Sequence, residues 1–280
     1  METPETQPTE TADAPPDPSP GQAPASGAPS SETMPVHVLL GGSGGIGSAL
    51  TRRLSQAGAT VVLGARDAQK LSALAGETGA EAFTLDATDY DQVEALVKGA
   101  AERHGRVDGV ANLVGSIDLK PAHAMKVEAF EETLRLNLHT AFFAVKAAAG
   151  VMTKNAEPKG GAVVLMSSVA GRYGLANHEA VAAAKAGVEG LARAAAATYA
   201  PRGIRVNAVA PGLVRTPLAG RLVASEAAVE ASASMHPLGR IGEPDDLVGA
   251  PELLLDRERG GWITGETISV DGGFAHARPR

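Results

Sequence analysis

The chain has 280 residues, which is enough for one large or two small domains, and 44% of them are hydrophobic but only 3% aromatic, so its core must rely on Ala, Val and Leu. The net charge of −7 argues against a nucleic-acid-binding surface. The absence of cysteine excludes disulfides, thiolate catalysis and cysteine-ligated metal.

The first 33 residues differ in composition from the rest. They are rich in Pro, Thr, Ser, Ala and Glu and offer almost nothing to bury, so we expect residues 1–33 to be disordered. Met34 follows directly, which leaves two interpretations open: a solubilising tail, or translation that starts at Met34. The first basic residue is Arg52, and no apolar run approaches the ~20 residues of a membrane span. We therefore expect no targeting signal, no membrane partner and a cytoplasmic location.

From Val36 onward, short apolar or β-branched runs alternate with helical patterns. This alternation predicts an α/β fold, a Rossmann-type doubly wound parallel sheet of about seven strands with helices on both faces. No break in composition divides residues 34–280, so we expect a single domain there. The predicted strands are Val36–Leu40, Thr60–Leu63, Glu81–Leu85, Gly109–Val114, Ala162–Met166, Arg205–Ala208 and Thr267–Val270. Helical patterns lie near residues 46–57, 89–103, 128–153, 178–199 and 244–255.

A glycine-rich segment, residues 41–47 (GGSGGIG), stands between the first strand and the first helix. Glycines let a pyrophosphate approach the backbone closely, and the helix N-terminus offers unpaired N–H groups and a positive dipole end. The order of strand, glycine turn and helix therefore predicts a dinucleotide site. Its phosphate-binding residues are expected to be Gly41, Ser43, Gly45, Ile46 and Gly47.

The end of the second strand indicates which dinucleotide binds. An acidic side chain at this point would accept hydrogen bonds from the ribose hydroxyls of NAD, but Ala65 stands there and Arg66 follows. A guanidinium suits a 2′-phosphate, so Arg66 favours NADP as the cofactor. A solvated arginine at the start of a helix is the alternative interpretation.

Further segments follow the glycine loop in a fixed order. They are Leu85-Asp86-Ala87-Thr88-Asp89, Asn112-Leu113-Val114-Gly115, Asn137 within Leu136-Asn137-Leu138-His139, Ser167-Ser168, Lys185, residues 211–216 (PGLVRT), residues 240–246 (RIGEPDD) and residues 263–273 (ITGETISVDGG). Over about residues 34–275 the chain resembles the short-chain dehydrogenase/reductase family.

The resemblance implies a role for each matching residue. It assigns Ser168 as the catalytic serine, Asn137 as the anchor of a water in the proton relay and Lys185 as the ligand of the cofactor ribose. The implied cofactor contacts are Asp86 and Ala87 at the adenine, Asn112, Val114 and Gly115 after the fourth strand, and Pro211, Gly212, Val214 and Thr216 at the nicotinamide amide. Many NADP-using relatives carry a second basic residue where Gly44 stands here, so NAD remains the alternative cofactor.

The tyrosine that the family places four residues before its lysine is missing. Position 181 is Val, and the thirteen-residue step from Ser168 also ends there, so the register is secure. A different proton donor is one interpretation. His178 lies seven residues before Lys185 on nearly the same helical stripe, at a spacing used by enoyl reductases of the superfamily, and imidazole exchanges protons near neutrality. Weaker candidates are Tyr173 and Glu179.

Two other interpretations need no proton donor at position 181. Hydride addition to an enoyl thioester requires only hydrogen-bond stabilisation of the enolate oxygen. Alternatively, the protein binds its cofactor without turnover and acts as a sensor or an assembly subunit. Retention of Ser168, Lys185 and Asn137 argues against that alternative.

The remaining expectations concern the substrate, metal and assembly. Residues 217–236 are expected to form a mobile lid, whose Leu218, Leu222, Val223 and Met235 suggest an apolar small-molecule substrate. The histidines have no convincing metal-ligand spacing with carboxylates, so we expect no metal. The Ala-rich run 182–200 would allow close helix packing, and by resemblance we expect a homo-oligomer, either a dimer or a tetramer.

Overall fold

The computed structural model describes residues 34–277. The predicted disordered tail, residues 1–33, lies outside them. The described chain forms one seven-stranded sheet in the order β3-β2-β1-β4-β5-β6-β7, and every neighbouring pair is parallel. The strands are β1 Val36–Leu40, β2 Thr60–Ala65, β3 Glu81–Thr84, β4 Gly109–Asn112, β5 Gly161–Met166, β6 Ile204–Pro211 and β7 Thr267–Val270. The predicted Rossmann-type fold class is therefore confirmed.

Helices connect the strands and cover both faces of the sheet. They are α1 Gly45–Gln56, α2 Ala68–Thr78, α3 Tyr90–His104, α4 Val127–Leu134, α5 Thr140–Met152, α6 Glu179–Tyr199, α7 Glu226–Ala233 and α8 Gly249–Leu255. A π-helical turn, Arg135–His139, joins α4 to α5. Within residues 34–277 no helix is both long and apolar enough to cross a bilayer.

The hydrophobic core has two layers because strand side chains alternate between the two faces. In β1, Val38 and Leu40 face the layer that packs against α3, α5 and α6, whereas Leu39 faces the layer formed with α1, α2 and α8. Strands buried on both faces explain why the sequence shows continuous apolar runs rather than alternation. Small residues dominate α5 and α6, which brings both helices close to the sheet.

The strand order reverses direction beside β1, whose neighbours are β2 on one side and β4 on the other. Connections leave toward opposite sides at this point, so a crevice opens at the carboxyl ends of the strands. Most of the predicted site residues follow the carboxyl ends of β1, β2, β3, β4, β5 and β6 and therefore lie along this edge.

The structure contains two helices that were not predicted, and it divides one predicted helix into two. Helix α2 was not predicted, although Asp67 caps it by accepting a hydrogen bond from the Lys70 N–H and Gly79 ends it in the left-handed conformation. Within the predicted lid, α7 forms behind a Ser225 cap. The helical pattern over 128–153 is interrupted by the π turn that contains Asn137.

Candidate functional site

The phosphate loop connects β1 to α1 by a turn that requires glycine. Gly41 adopts φ +77°, and its N–H donates to Gly64 O at 2.7 Å, which fixes the loop against β2. A Cβ on Gly47 would overlap the backbone of Gly41 and Gly42. Helix α1 begins after Gly44 with no side-chain cap and no acidic residue in its first turn, so its N–H groups and positive end remain available to an anion.

Two further segments approach the phosphate loop closely. A Cβ on Gly45 would lie 2.7 Å from Thr216 Cγ2, and a Cβ on Gly41 would lie 3.0 Å from the Val114 nitrogen. The loop with Ser43 and Ile46 therefore contacts the segments after β4 and after β6. Three of the predicted cofactor-binding segments therefore meet at one edge of the sheet.

At the adenine end of the predicted site, the ends of β2 and β3 lie side by side, since Leu85 N–H donates to Ala65 O at 3.0 Å. Arg66 is exposed there, whereas Ala87 is buried. Asp86 Oδ1 accepts hydrogen bonds from the Thr88 N–H at 2.9 Å and from the Thr88 hydroxyl at 2.8 Å. These bonds, helped by the positive charges of Arg135 and Arg66, lower the pKa of Asp86, so its carboxylate is ionised.

Asn112 fixes the segment that follows β4. Its side chain is buried, its Nδ2 donates to Thr140 Oγ1 at 3.1 Å, and its Oδ1 accepts from the Val114 N–H at 3.3 Å. The family-like asparagine at this position therefore shapes the loop of Val114 and Gly115 through its own hydrogen bonds.

Asn137 clamps the same loop from the π turn. Its Oδ1 accepts from the Ser116 N–H at 3.2 Å, and its Nδ2 donates to Ser116 Oγ at 2.9 Å and to Thr133 O at 2.9 Å. A Cβ on Gly115 would lie 3.0 Å from Asn137 Oδ1 and 3.5 Å from Lys185 Nζ. Asn137 and Lys185 therefore both lie close to Gly115. The sequence analysis assigned these two residues to the same site.

Lys185 carries a buried positive charge at the centre of the site. Its Nζ donates to Met166 O, the last residue of β5, at 2.7 Å. Burial lowers the pKa of Lys185 to about 8. Among the described residues no carboxylate forms an ion pair with this ammonium, so its remaining donors suit neutral oxygen acceptors such as ribose hydroxyls.

Ser168 begins the loop between β5 and α6. The backbone is extended there, and the Ser168 hydroxyl accepts from the Ala170 N–H at 3.2 Å. Gly171 lets this loop approach α6, because a Cβ at that position would lie 2.9 Å from the carbonyl carbon of Lys185 and from the Ala186 nitrogen. The loop that carries Ser168 therefore packs directly against α6, the helix that carries Lys185.

An ion pair between the buried Glu189 and the exposed Arg172 supports this loop. Glu189, one turn after Lys185, accepts a hydrogen bond from Ser167 Oγ at 2.9 Å and pairs with Arg172 at 3.2 Å. Arg172 also donates to Ser269 Oγ at 3.0 Å in β7. The network joins α6, the serine loop and β7. The sequence interpretation missed Glu189, although its spacing of four residues from Lys185 on one helix face was a usable signal.

Position 181 is filled by an apolar side chain. Val181 is buried, at 4% exposure, on the face of α6 that carries Lys185. Because a valine side chain can neither donate nor accept a proton, the described site has no acid at the family's tyrosine position.

The alternative proton donors lie around the start of α6. His178 is partly buried at the residue before the helix, and its Nδ1 is 2.8 Å from Ala176 O. A carbonyl only accepts, so Nδ1 carries hydrogen and Nε2 is the nitrogen left for proton exchange. Glu179 accepts from the Ala122 N–H at 3.3 Å. The Tyr173 ring packs edge-on against Phe274 at 5.5 Å between centroids.

The predicted nicotinamide segment continues β6 past Pro211. Val214 is buried and forms a parallel bridge with Gly242, and Thr216 caps the short turn that begins the lid. His236, which the sequence interpretation considered only as a metal ligand, holds this segment to the lid. Its Nε2 accepts from the Leu213 N–H at 3.2 Å and its Nδ1 donates to Ser232 O at 2.8 Å.

His236 is buried against the cofactor segment because Gly212 leaves room for it. A Cβ on Gly212 would lie 2.7 Å from His236 Nε2. Both nitrogens of the neutral ring are used, which fixes its tautomer. No sequence pattern indicated this contact, since it joins residues 23 positions apart across a lid of unpredicted geometry. No cluster of three or more metal-ligating side chains occurs between residues 34 and 277.

The residues at this edge fit a nicotinamide dinucleotide. Gly41 and Gly47 leave space that a side chain would fill, α1 directs its uncapped N-terminus to that space, and the buried Lys185 ammonium lacks an anionic partner among the described residues. A diphosphate, a ribose and an adenine would each meet complementary groups along the crevice.

Comparison with known proteins agrees with this assignment. The model of the enoyl-(acyl carrier protein) reductase family matches residues 41–275. A 3-oxoacyl-[acyl-carrier-protein] reductase of Thermotoga maritima is 35% identical over 244 residues, covering 85% of this chain and 97% of the relative. An L-rhamnose 1-dehydrogenase (NAD(P)(+)) of Azotobacter vinelandii is 35% identical over 248 residues, covering 85% of this chain and 95% of the relative.

Solved structures show the same similarity. A short-chain type dehydrogenase/reductase from Mycobacterium ulcerans superposes with a TM-score of 0.81 at 29% identity, over 86% of this chain and 90% of the other. The sequence similarity to the family extends from the phosphate loop past the last strand.

Proposed function

The chain belongs to the short-chain dehydrogenase/reductase family of NAD(P)-dependent oxidoreductases, and we propose that it transfers hydride between NADP(H) and an apolar small molecule. The reacting group of the substrate is a carbonyl or hydroxyl, or an activated double bond. The observation that carries this proposal is the convergence of Asn137 and Lys185 on Gly115, beside the loop of Ser168.

The proposed preference for NADP rests on the adenine end. Arg66 is exposed directly after β2, and Ala65 offers no carboxylate to the ribose hydroxyls. A carboxylate at that position would repel a 2′-phosphate, whereas a guanidinium can bind it through charge-assisted hydrogen bonds. Gly44 supplies no second cation, so Arg66 carries the preference.

Each residue of the site has a separate task in the proposed reaction. When bound, the nicotinamide supplies or accepts the hydride. Lys185 would hold the ribose through its buried ammonium, and the backbone from Pro211 to Val214 with Thr216 would hold the amide. The Ser168 hydroxyl would donate a hydrogen bond to the substrate oxygen, stabilising the negative charge that develops on it as hydride reaches carbon.

The proton for that oxygen needs a source other than residue 181. His178 is our proposed donor, because its Nε2 is left for proton exchange and the residue immediately precedes α6, the helix that carries Lys185. For a carbonyl substrate, hydride adds to carbon while the imidazolium Nε2–H bond breaks and the proton passes to oxygen. For an activated double bond, hydrogen bonding to the enolate oxygen precedes protonation from solvent.

An apolar substrate is proposed from the lid. Leu218 and Met235 are half-exposed on the segment over the nicotinamide loop, and Leu222 and Val223 are partly buried between them. Exposed apolar side chains on one segment are typical of a binding site that they cover when a ligand is present. By their names, the two relatives act on a 3-oxoacyl-[acyl-carrier-protein] and on L-rhamnose. The apolar class of substrate is therefore proposed from the lid residues alone.

One observation favours a second candidate function. Val181 removes the acid on which carbonyl reduction in the family depends, and its burial shows that the position is packed. A protein that binds NADP(H) without turnover and reports on its level would keep the cofactor site and tolerate this valine.

Oxidation of NADPH separates the two candidates. The purified protein is incubated with NADPH and a panel of aliphatic ketones, aromatic ketones and enones, and NADPH absorbance is followed. We expect substrate-dependent loss of NADPH with at least one apolar member. Binding of NADPH without any substrate-dependent loss would support the second candidate instead.

A further inference from the structure

Arg135 lies at the adenine end of the site, although no sequence motif assigns it. It is the first residue of the π turn between α4 and α5, and its Nη1 donates to Thr88 Oγ1 at 2.5 Å. Thr88 in turn donates to Asp86 Oδ1. The guanidinium is therefore attached to the segment after β3, where Asp86 Oδ2 is left to accept from an adenine amino group.

Three of the five N–H donors of this guanidinium already have acceptors. Nε donates to Glu132 Oε2 at 2.6 Å and Nη2 donates to Glu132 Oε1 at 2.8 Å, while Nη1 is bonded to Thr88. This bidentate pair fixes the plane of the guanidinium and balances its charge. The side chain is 46% exposed, so the flat faces of the group remain accessible.

We propose that Arg135 is a stacking platform for the adenine ring of the bound dinucleotide. Planar guanidinium groups stack on aromatic rings and nucleobases, which an ammonium cannot do. This inference rests on the proposed function only in that a dinucleotide binds. A direct bond to the 2′-phosphate is less favourable, because the Glu132 carboxylate already balances the charge of Arg135 and would repel the phosphate. Arg66, which has no such bidentate partner among the described residues, is left for the phosphate.

The proposal predicts a loss of affinity that is independent of the 2′-phosphate. NADPH, NADH and ADP are each titrated into the parent protein and the Arg135→Ala variant by calorimetry. Since removal of a base-stacking side chain typically weakens binding about tenfold, the dissociation constants of all three ligands should rise by about that factor. The ratio of the NADPH and NADH constants should stay unchanged.

Three further variants separate stacking from charge. Arg135→Lys keeps the charge without the plane and should bind as weakly as Arg135→Ala. Arg135→Tyr restores a plane without the charge and should recover most of the affinity. Arg52 forms a comparable bidentate pair with Glu77, at 2.6 and 2.9 Å, so Arg52→Ala is the matched control and should leave all three constants unchanged.

The outcomes distinguish this inference from the proposed function. Unchanged affinity in Arg135→Ala, or full recovery in Arg135→Lys, would overturn stacking. A loss confined to NADPH would overturn it in favour of a phosphate contact. If the parent protein bound none of the three ligands, the proposed function itself would be wrong, and the inference would fall with it.

Discussion

Val181 and Lys185 lie one turn apart on the same face of α6, and both side chains are buried, at 4% and 6% exposure. An apolar residue therefore stands where the family's tyrosine would be the neighbour of the ammonium. Lys185 Nζ donates to Met166 O at 2.7 Å, so the lysine side chain still lies in the site although position 181 is a valine. The lysine expected to bind the cofactor is therefore retained, whereas the tyrosine that usually supplies the proton is absent.

The buried ammonium predicts a specific pH dependence of stability. Burial lowers the pKa of Lys185 from 10.5 to about 8, while in the unfolded chain the group stays protonated up to its ordinary value. Between pH 8 and 10.5 the unfolded state binds more protons, so this residue's destabilising contribution is full below pH 8 and disappears as pH rises through that window. Lys185→Met should therefore be more stable than the parent at pH 7, by up to roughly 3 kcal/mol.

Urea unfolding of both proteins without cofactor, at pH values from 7 to above 10, checks this expectation. The stability advantage of Lys185→Met should shrink steadily across the window. A difference that does not vary with pH would mean that the lysine is not buried as the structure has it.

Arg66 is expected to determine cofactor preference. A charge-assisted hydrogen bond contributes about 1.5–3 kcal/mol, so Arg66→Ala should weaken NADPH binding roughly tenfold or more and leave NADH binding nearly unchanged. Calorimetric titration of both cofactors measures this. Lys70→Ala removes an exposed charge from the same region and is the control, since Lys70 is paired with Asp67 at 3.0 Å. Equal affinities for the two cofactors in the parent would contradict the NADP assignment.

His178 is tested by removal of its side chain. If Nε2 donates the proton, His178→Ala should lower kcat by roughly 10²–10⁴-fold, as is typical for loss of a general acid, without changing NADPH affinity. His123→Ala, which removes an exposed histidine near Glu179, should have no effect. An unchanged kcat in His178→Ala would eliminate this histidine as the donor.

His236 should matter for the nicotinamide segment rather than for proton transfer. His236→Phe keeps an aromatic ring against Phe274 but leaves the Leu213 N–H without its acceptor. An unsatisfied buried donor costs about 1–3 kcal/mol, so the variant should melt at lower temperature and bind NADPH more weakly. Thermal unfolding with and without NADPH measures both effects. His276→Ala, at an exposed position, is the control, and an equal loss in that variant would remove the special role of His236.

The features that could be predicted from the sequence depend on residues that are close together along the chain. The glycine loop, the strand cores and the step from Ser168 to position 181 depend on spacing along the chain, and the structure has the corresponding strand, turn and helix at these places. Helix α2 was missed because only Leu71 and Leu74 are buried in it, which gives a weak apolar period, although the Asp67 cap and Gly79 were readable signals.

Contacts between distant segments could not be predicted. The π turn does not alter the helical composition around Asn137, so the pattern over 128–153 looks continuous. Arg135 reaches Thr88 across 47 residues and His236 reaches Leu213 across 23, and both contacts depend on how the helices pack on the sheet. These tertiary contacts carry much of the candidate site.

We propose that this protein transfers hydride from bound NADPH although Val181 replaces the usual acid. The most direct measurement uses NADPH with deuterium at the transferable C4 position, the panel of ketones and enones, and mass spectrometry of the products, for the parent and for Val181→Tyr. We expect one deuterium in the product of the parent, and a higher rate with ketones in Val181→Tyr, because the tyrosine restores an acid beside Lys185. Absence of deuterium from every product of both proteins, with NADPH bound, would show that neither protein transfers hydride.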